Sequence, residues 1–600
     1  MNRLLCIVST FVAVVALAGP SSAQTFTWSG GTGTPNWSLG NNWGGIAPVS
    51  SATNDLIFTG STQLATNQNN TAPFLLNNLT FDAAAGAFSV AGNELRFGGV
   101  SNTLSQNSAN NILISAPVSF DGDGTIAGTG AGSLTLSKLT VRQGTVTLTR
   151  DVTAGALTLG FDGGAAATLD TGSSVLTLGG DVTFVQLSGF VVTPHGTLNG
   201  TIDLGGADRT FAGVYSNEND PFFDFIINAK LVGTGGFIKG GSGSDDRSWM
   251  VMNAQNTYTG QTRLQSGSER LYLTVNNALP SGTALIVENF TSLYLTNTTG
   301  NTGNVGFAQS VGSLSDGGTA GGVIRLGTLD STSAVLTVGS DNTSTSFAGS
   351  ITGGGSLVKV GTGTLILSGN GTLDHESGFT VPSTYSGGTI VNGGTLLVNG
   401  QTGTNSGTGT GLVVVNTGAT LGGTGRVGGN VTVNPGGTIR GGASGTIGTL
   451  TVAGNLTAVA NTTGNGAEQI QVTVNTTTAS LIRVNGSINF QTLGEALVVN
   501  IENGGGLVLH TPYSRTIATA TGGIFLNGTK LSNGTSLDPG TDFVLTSPDF
   551  EYFTAESLTI GNGGTSLILN FTPVPEPVTV LGFAAAGLGL AEFVRRRIRT

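Results

Sequence analysis

Cysteine is almost missing: in 600 residues there is one, Cys6. Histidine is nearly as scarce, with His195, His375 and His510 far apart and in no H-E-x-x-H or G-x-S-x-G context. Charged residues make up only 9%, and the basic ones are outnumbered, 22 Lys+Arg against 33 Asp+Glu, for a net charge of −11. Setting aside Arg3, Arg595, Arg596, Arg597, Arg599, Glu576 and Glu592 leaves 17 basic and 31 acidic residues, a body of −14. Such a body has no basic stripe to neutralise phosphates, which excludes nucleic acid as a partner. Proline, 16 in all, is too sparse for a collagen repeat, and no glycine run has the G-x-x-x-x-G-K-[ST] spacing of a phosphate loop. Long 3.6-residue apolar patterns are also missing between the two ends, because Gly and Thr interrupt them.

Glycine is plentiful instead, 99 residues, beside 38% hydrophobic residues and a positive mean hydropathy of +0.19. That hydrophobicity, with so little charge, excludes a disordered chain. Thr, Ser and Asn alternate with Val, Leu and Ile, a mixture suited to short strands joined by tight turns. In SLTLS (133–137), ALTLG (156–160) and VLTLG (175–179), Leu134 and Leu136, Leu157 and Leu159, and Leu176 and Leu178 share one face while Thr takes the other. TLILSG (364–369) and TLTVAG (449–454) repeat the theme. A sandwich array would recur at roughly 100 residues. Recurrence near about 20 residues favours stacked coils, each burying its inner row against the next. The expected fold is all-β, a right-handed parallel β-helix.

Both ends differ from the body. Arg3, the apolar run Leu4–Ala18 and Ser21-Ser22-Ala23 have the layout of a secretory leader, with cleavage between Ala23 and Gln24. Cys6 leaves with it, so the mature chain is expected to hold no disulfide, thiol nucleophile or cysteine metal site. At the other end, Val578–Val594 is an apolar run of about 17 residues, roughly 25 Å of helix, which snorkelling arginines extend to a membrane span. Arg595, Arg596, Arg597 and Arg599 place that terminus on the cytoplasmic side. Pro575 and Pro577 impose an extended approach to the helix.

Two segments align on Thr257-Tyr258-Thr259-Gly260 and Thr384-Tyr385-Ser386-Gly387. Each has a Gly-rich opening, then an apolar residue and a lysine (Ile238-Lys239; Val358-Lys359), then Tyr-[Ser/Thr]-Gly and a strand. The pattern, over 233–267 and 353–400, resembles the autotransporter-associated β-strand repeat. The second copy carries an insertion, 371–382; the first lacks the middle G-T-L-x-L strand and has Asp245, Asp246 and Arg247 there. The Trp-rich segment 25–58, the strand at 76–92 and the Gly-rich 421–458 resemble the opening and closing parts of autotransporter passengers. The resemblance implies a β-helical passenger, rarely an enzyme. The strands of 459–572 are too few for the translocating barrel of a complete autotransporter.

The tail resembles a different family. Pro575-Glu576-Pro577 with Val574 before it, the Gly/Ala/Leu-rich helix and the arginine stop are similar to the PEP-CTERM sorting signal. That resemblance implies handling by an exosortase, a membrane-embedded sorting enzyme of bacteria that make extracellular polysaccharide.

β-Helices also carry polysaccharide lyases and glycoside hydrolases, so carboxylate clusters need weighing. The candidates are Asp121 with Asp123, Asp245 and Asp246 with Arg247, and Asp374-His375-Glu376. The first reads as an Asp-Gly turn and the last as a solvated insertion. GGSGSDD (240–246) imitates a single calcium nonapeptide, but no tandem copy follows to complete a site. Trp28, Trp37 and Trp43 could form a sugar-stacking platform, but a capping core is the stronger reading. The organisation expected is a leader (1–23), a β-helical repeat region (24–458), a β-rich region (459–572) and a sorting tail (573–600). The function expected is a non-catalytic cell-surface or matrix protein of adhesin-like type, needing no cofactor or metal. Its expected partners are the membrane, the sorting enzyme, and extracellular polysaccharide or cell surfaces. The alternative is a β-helical lyase or hydrolase.

Overall fold

The structure is a computed structural model that describes residues 23–31, 33–161, 165–186, 196–215, 225–241, 249–267, 269–296, 306–327, 334–369, 371–373, 380–400, 406–460, 469–492, 494–550 and 552–574. The leader 1–22, Asp245–Arg247, Asp374–Glu376, His195 and the tail 575–600 lie outside them. The chain divides into two compact units, Met1–Gly155 and Ala156–Thr600. Each is all-β with strands paired mainly in parallel.

In the first unit successive coils contribute short strands to three parallel ladders, the first coil to one of them only. The first ladder runs Gln24–Trp28, Asn54–Phe58, Asn78–Phe81, Thr103–Gln106, Gly124–Ala127 and Gly144–Leu148. The second stacks Ala65–Gln68, Ser89–Gly92, Ile112–Ile114, Leu134–Leu136 and Val152–Ala154. The third stacks Phe74–Leu76, Leu95–Phe97, Val118–Phe120 and Leu139–Val141. Period-two alternation sends one side chain in and the next out, so in-register pairing stacks like on like. Leu56, Leu79, Leu104 and Ile126 form one fully buried row. Beside it Trp28, Phe58 and Phe81 stack at 5.7 and 5.1 Å, and the row ends on the buried amide of Gln106.

The three tryptophans close the first coil from within. A 3-10 turn, Gly40–Trp43, lays Trp43 edge-on to both Trp28 (5.1 Å) and Trp37 (5.4 Å). Trp28 and Trp37 are 0% exposed and Trp43 is 5% exposed. The Trp37 indole N–H donates to Thr66 Oγ1, and that of Trp43 donates to the Trp37 carbonyl. Buried Asn42 ties the loop by donating to the carbonyls of Thr34 and Asn36 while accepting from the Gly31 N–H. These indoles are a capping core and offer no stacking surface to a sugar.

The second unit repeats the construction. Leu336, Leu357, Thr389, Val413, Val431, Leu456, Ile488 and Ile524 occupy consecutive inward positions of one parallel ladder. Strands from Thr345–Phe347 to Phe543–Thr546 form another. Coil length is not the recurrence expected from the L-T-L segments. Leu157–Leu159 stacks on Val182–Gln186, while Ala167–Leu178 stacks on Gly196–Asp203. Those two segments therefore lie on different ladders, and the register runs from Leu157 to Val182, a longer step. The physical reason is that every face has the same inward-Leu, outward-Thr alternation, so the pattern recurs by face as well as by coil.

In a third ladder Tyr513–Ala520 stacks in parallel on Leu481–Val484 and is the last parallel strand of that ladder. This strand pairs antiparallel with Ser566–Val574, which pairs antiparallel with Tyr552–Gly561, which in turn receives Ser536–Leu537. This antiparallel sheet covers the outer edge that Tyr513–Ala520 would otherwise leave open.

The aromatic row makes a direct prediction. Phe58 lies within 5.1–5.7 Å of Trp28, Trp37, Trp43, Phe81 and Phe88 ring centroids. Phe58→Ala should cost about 3–5 kcal/mol by denaturant unfolding followed through tryptophan fluorescence. Thr103→Ala, on the outward row, should stay within about 0.5 kcal/mol.

Candidate binding face

The chemistry-bearing residues of the lysine–tyrosine repeats look like a site and act as brackets. Lys239 stacks between Phe211 and Leu264, and Lys359 between Val338 and Val391, so both sit in inward apolar rows. They are 0% and 1% exposed. Lys359 ends its strand, and its Nζ donates to the carbonyls of Val360 (2.6 Å), Gly361 (3.2 Å) and Gly393 (3.2 Å). Burial lowers its pKa below the ordinary lysine value, a shift that the Asp341 charge opposes. The ammonium thus closes a corner by satisfying carbonyls that the turn leaves without partners.

The tyrosines are equally internal. Tyr258 Oη lies 2.6 Å from Thr262 Oγ1, and Tyr385 Oη 2.6 Å from Thr389 Oγ1. Burial holds both phenols well above the ordinary tyrosine pKa despite those bonds. Upstream, Asn256 Oδ1 accepts from the Leu231 N–H, and in the other copy Ser383 Oγ accepts from the Ile351 N–H. The backbone follows suit: Thr259 N–H donates to Gly233 and Ser386 N–H to Gly353. Gly233 and Gly353 sit at φ +102° and +101°, where a Cβ would meet Asp203 Oδ1 at 2.3 Å or the Leu326 carbonyl at 2.6 Å. The two segments are one structural unit built twice.

The catalytic candidates divide. Asp121 accepts from Arg142 Nε at 2.5 Å and lies 3.9 Å from Arg96, which also pairs with Glu94. Asp123 accepts from the Thr145 N–H of the next coil. Both are therefore engaged in holding coils together. His510 is exposed at φ +62° in a turn. Among the described residues no three His, Cys, Asp or Glu side chains are grouped to hold a metal ion, and no helix is long and apolar enough to cross a membrane. Ala23 and Gln24 are exposed, and Gln24 opens the first strand. Pro575, Glu576, Pro577 and the arginines at 595, 596, 597 and 599 lie outside the described residues.

A cluster the sequence reading missed lies on the outer face of the second unit. Met250, Leu271, Leu293 and Ile324 point inward in successive coils and are fully buried. Alternation then turns Trp249, Val251, Arg270, Tyr272, Tyr294 and Arg325 outward. Tyr272 and Tyr294 stack at 4.3 Å and 25°, and Trp249 lies 5.9 Å from Tyr272. Arg270 sits over Trp249 at 4.2 Å and Arg325 over Tyr294 at 5.3 Å. The tyrosines are only 5% and 8% exposed, whereas Trp249, Arg270 and Arg325 are half-buried. The result is a buried stack of Val251, Tyr272 and Tyr294 with Trp249 packed against it and two guanidinium groups over its rings; the partly exposed indole and guanidinium groups have a chemistry suited to ring faces and carboxylates. The available signal was alternation itself, since in E-R-L-Y-L the two leucines leave Arg270 and Tyr272 on the other face.

A second outer-face network surrounds Glu502, which accepts from Gln471 Nε2 (2.6 Å), Ser444 Oγ (2.8 Å), Thr473 Oγ1 (2.8 Å) and the Gly445 N–H (2.9 Å). Burial pushes its pKa up, but the Gly445 N–H, the Ser444 and Thr473 hydroxyls and the Arg440 charge outweigh that and hold it below the ordinary carboxylate value. A depressed folded-state pKa adds stability above the unfolded value, and that gain disappears as pH falls through the folded one. Glu502→Gln should therefore destabilise at pH 7, with the gap to the parent narrowing as pH falls below about 4 and vanishing below the depressed folded-state value, read as denaturation midpoint against pH. At the repeats, Tyr385→Phe should cost about 1 kcal/mol, because Thr389 loses its buried partner. Lys359→Met should cost more, because it strands three carbonyls.

No family model matches the chain, and no solved structure matches it. The chain is 33% identical over 209 residues to the adhesin BmaC autotransporter of Brucella suis biovar 1. That match takes in 34% of this chain and 5% of the adhesin, so the chain spans about a twentieth of that relative's length. The similarity agrees with autotransporter-type repeats in this chain.

Proposed function

We propose that this chain is an exported, non-catalytic protein of the cell surface or extracellular matrix, adhesin-like in action. The observation that carries this reading is where its polar chemistry goes. Lys359, Tyr258, Tyr385, Asp121 and Asp123 are engaged in closing corners and joining coils, the economy of a scaffold that displays its outer faces. The similarity to an adhesin autotransporter supports the same reading. Delivery is by the leader ending at Ala23 and by the tail, in which Pro575-Glu576-Pro577 is the motif presented to an exosortase-type enzyme. The helix Val578–Val594 and the arginines at 595–597 and 599 hold the chain in the membrane until then.

The outer face bearing Trp249, Arg270 and Arg325 is the contact we assign to acidic extracellular polysaccharide. Its guanidinium groups supply positive charge on a body that is otherwise negative. Trp249→Ala with Arg270→Ala should abolish retention on an immobilised uronic-acid polysaccharide at low salt; equal retention by parent and variant would remove this face from the account.

Delivery is tested by the intact mass of the protein recovered from membranes and from culture fluid. The mature form should begin at Gln24, and the released form should lack 578–600. A released form that keeps 578–600 would end the sorting proposal. Turnover of uronic-acid glycans, seen as rising absorbance near 235 nm, would favour the lyase reading instead.

A further inference from the structure

The first coil leaves one edge of its ladder open. Strand Gln24–Trp28 pairs with Asn54–Phe58 on one side, and its other edge has no strand partner among the described residues. Its inward row shows the same incompleteness. Trp28 is fully covered by Trp37 and Trp43, but Phe26, two residues earlier and in register with fully buried Leu56, is only half-buried. Thr25 and Thr27 are exposed. Proteins usually protect such an edge with charge, proline or a bulge. Here residues 24–54 contain no Asp, Glu, Lys or Arg, although the whole chain carries a net −11. Apolar side chains gather at the same end: Leu39, Ile46 and Val49 in the loops of the first coil are 43%, 75% and 79% exposed.

We infer that this edge is a homotypic docking surface, in which Gln24–Trp28 pairs antiparallel with the same strand of a second copy. The strand's own sequence, Q-T-F-T-W, selects that occupant. A two-fold axis normal to the sheet at Phe26 sets Thr25 opposite Thr27, a favourable cross-strand pair, and Phe26 opposite Phe26. It keeps the two inner faces on the same side, so the half-buried phenylalanines complete each other's row. The tryptophan-capped half of one coil mouth then meets the open half of the other. Apart from the new α-ammonium of Gln24, the coil carries no charge, so two acidic chains meet here with little like-charge repulsion at the contact. Pairing of this kind closes after two copies, because a two-fold contact uses the open edge of both chains.

The inference rests on removal of the leader, since residues before Gln24 would otherwise adjoin the edge. It is tested on the chain from Gln24 to Thr600 in mild detergent, which keeps every described pairing. Light scattering should give twice the chain mass at micromolar concentration. Thr25→Lys with Thr27→Lys should halve that mass at unchanged melting temperature, and Thr103→Lys with Thr125→Lys, inside the same ladder, should not. For the register, Thr25→Cys chains mixed with Thr27→Cys chains should form a disulfide under mild oxidation that neither forms alone. A single-chain mass at all concentrations, a double mass indifferent to the Thr25/Thr27 lysines, or no disulfide in the mixture would overturn the inference. A cell-derived chain that retains residues 1–23 would count against the leader and not against the pairing.

Discussion

Every coil depends on its neighbour for burial. A strand of three to five residues such as Leu95–Phe97 or Val118–Phe120 cannot bury its inward side chains alone. It does so only when the next coil sets Phe120 on Phe97, here at 4.5 Å and 8°. Register therefore matters more than the identity of any one residue. A slip of one position would turn the whole inward row to solvent. Since no disulfide is expected in the mature chain, this shared burial carries the stability of both units.

Several buried polar residues stand at corners, where the backbone turns and its groups lose their ladder partners, and supply the missing half of a hydrogen bond. Lys359 does this for three carbonyls, while Gln106 donates to the carbonyls of Ser108, Asn110 and Gly132. Asn256 answers the Leu231 N–H and the Ala278 carbonyl at once. On the outside, side-chain amides link coil to coil, as in Asn392, Asn416 and Asn434, where each amide donates to the one before. A chain so poor in charge achieves polar satisfaction with amides, hydroxyls and two buried lysines, groups whose desolvation costs less when each has a partner.

The all-β class was legible from alternating Leu and Thr with Gly and Asn turns, and the parallel stacking from the short recurrence of those strands. The equivalence of the two lysine–tyrosine segments was also legible, since Tyr-[Ser/Thr]-Gly followed by Thr two residues later marks a fixed bond, Tyr258 to Thr262 and Tyr385 to Thr389. Coil boundaries were not, because Leu157–Leu159 and Leu176–Leu178 have the same pattern on different faces. The outer aromatic ladder was hidden for a related reason. Trp249, Tyr272 and Tyr294 are 22 or 23 residues apart, and only the register brings them together. Nor does any local feature of Ser566–Val574 announce an antiparallel strand, since its alternation matches that of the parallel strands before it.

That last strand has a mechanical consequence. Ser566–Val574 lies between Tyr513–Ala520 and Tyr552–Gly561, hydrogen-bonded along most of its length on both sides. Anything attached beyond Val574 pulls along the strand axis. Under such tension the bonds of both ladders are loaded in shear and share the force, instead of peeling open one after another. The sheet that closes this ladder is thus also a handle that resists pulling in shear.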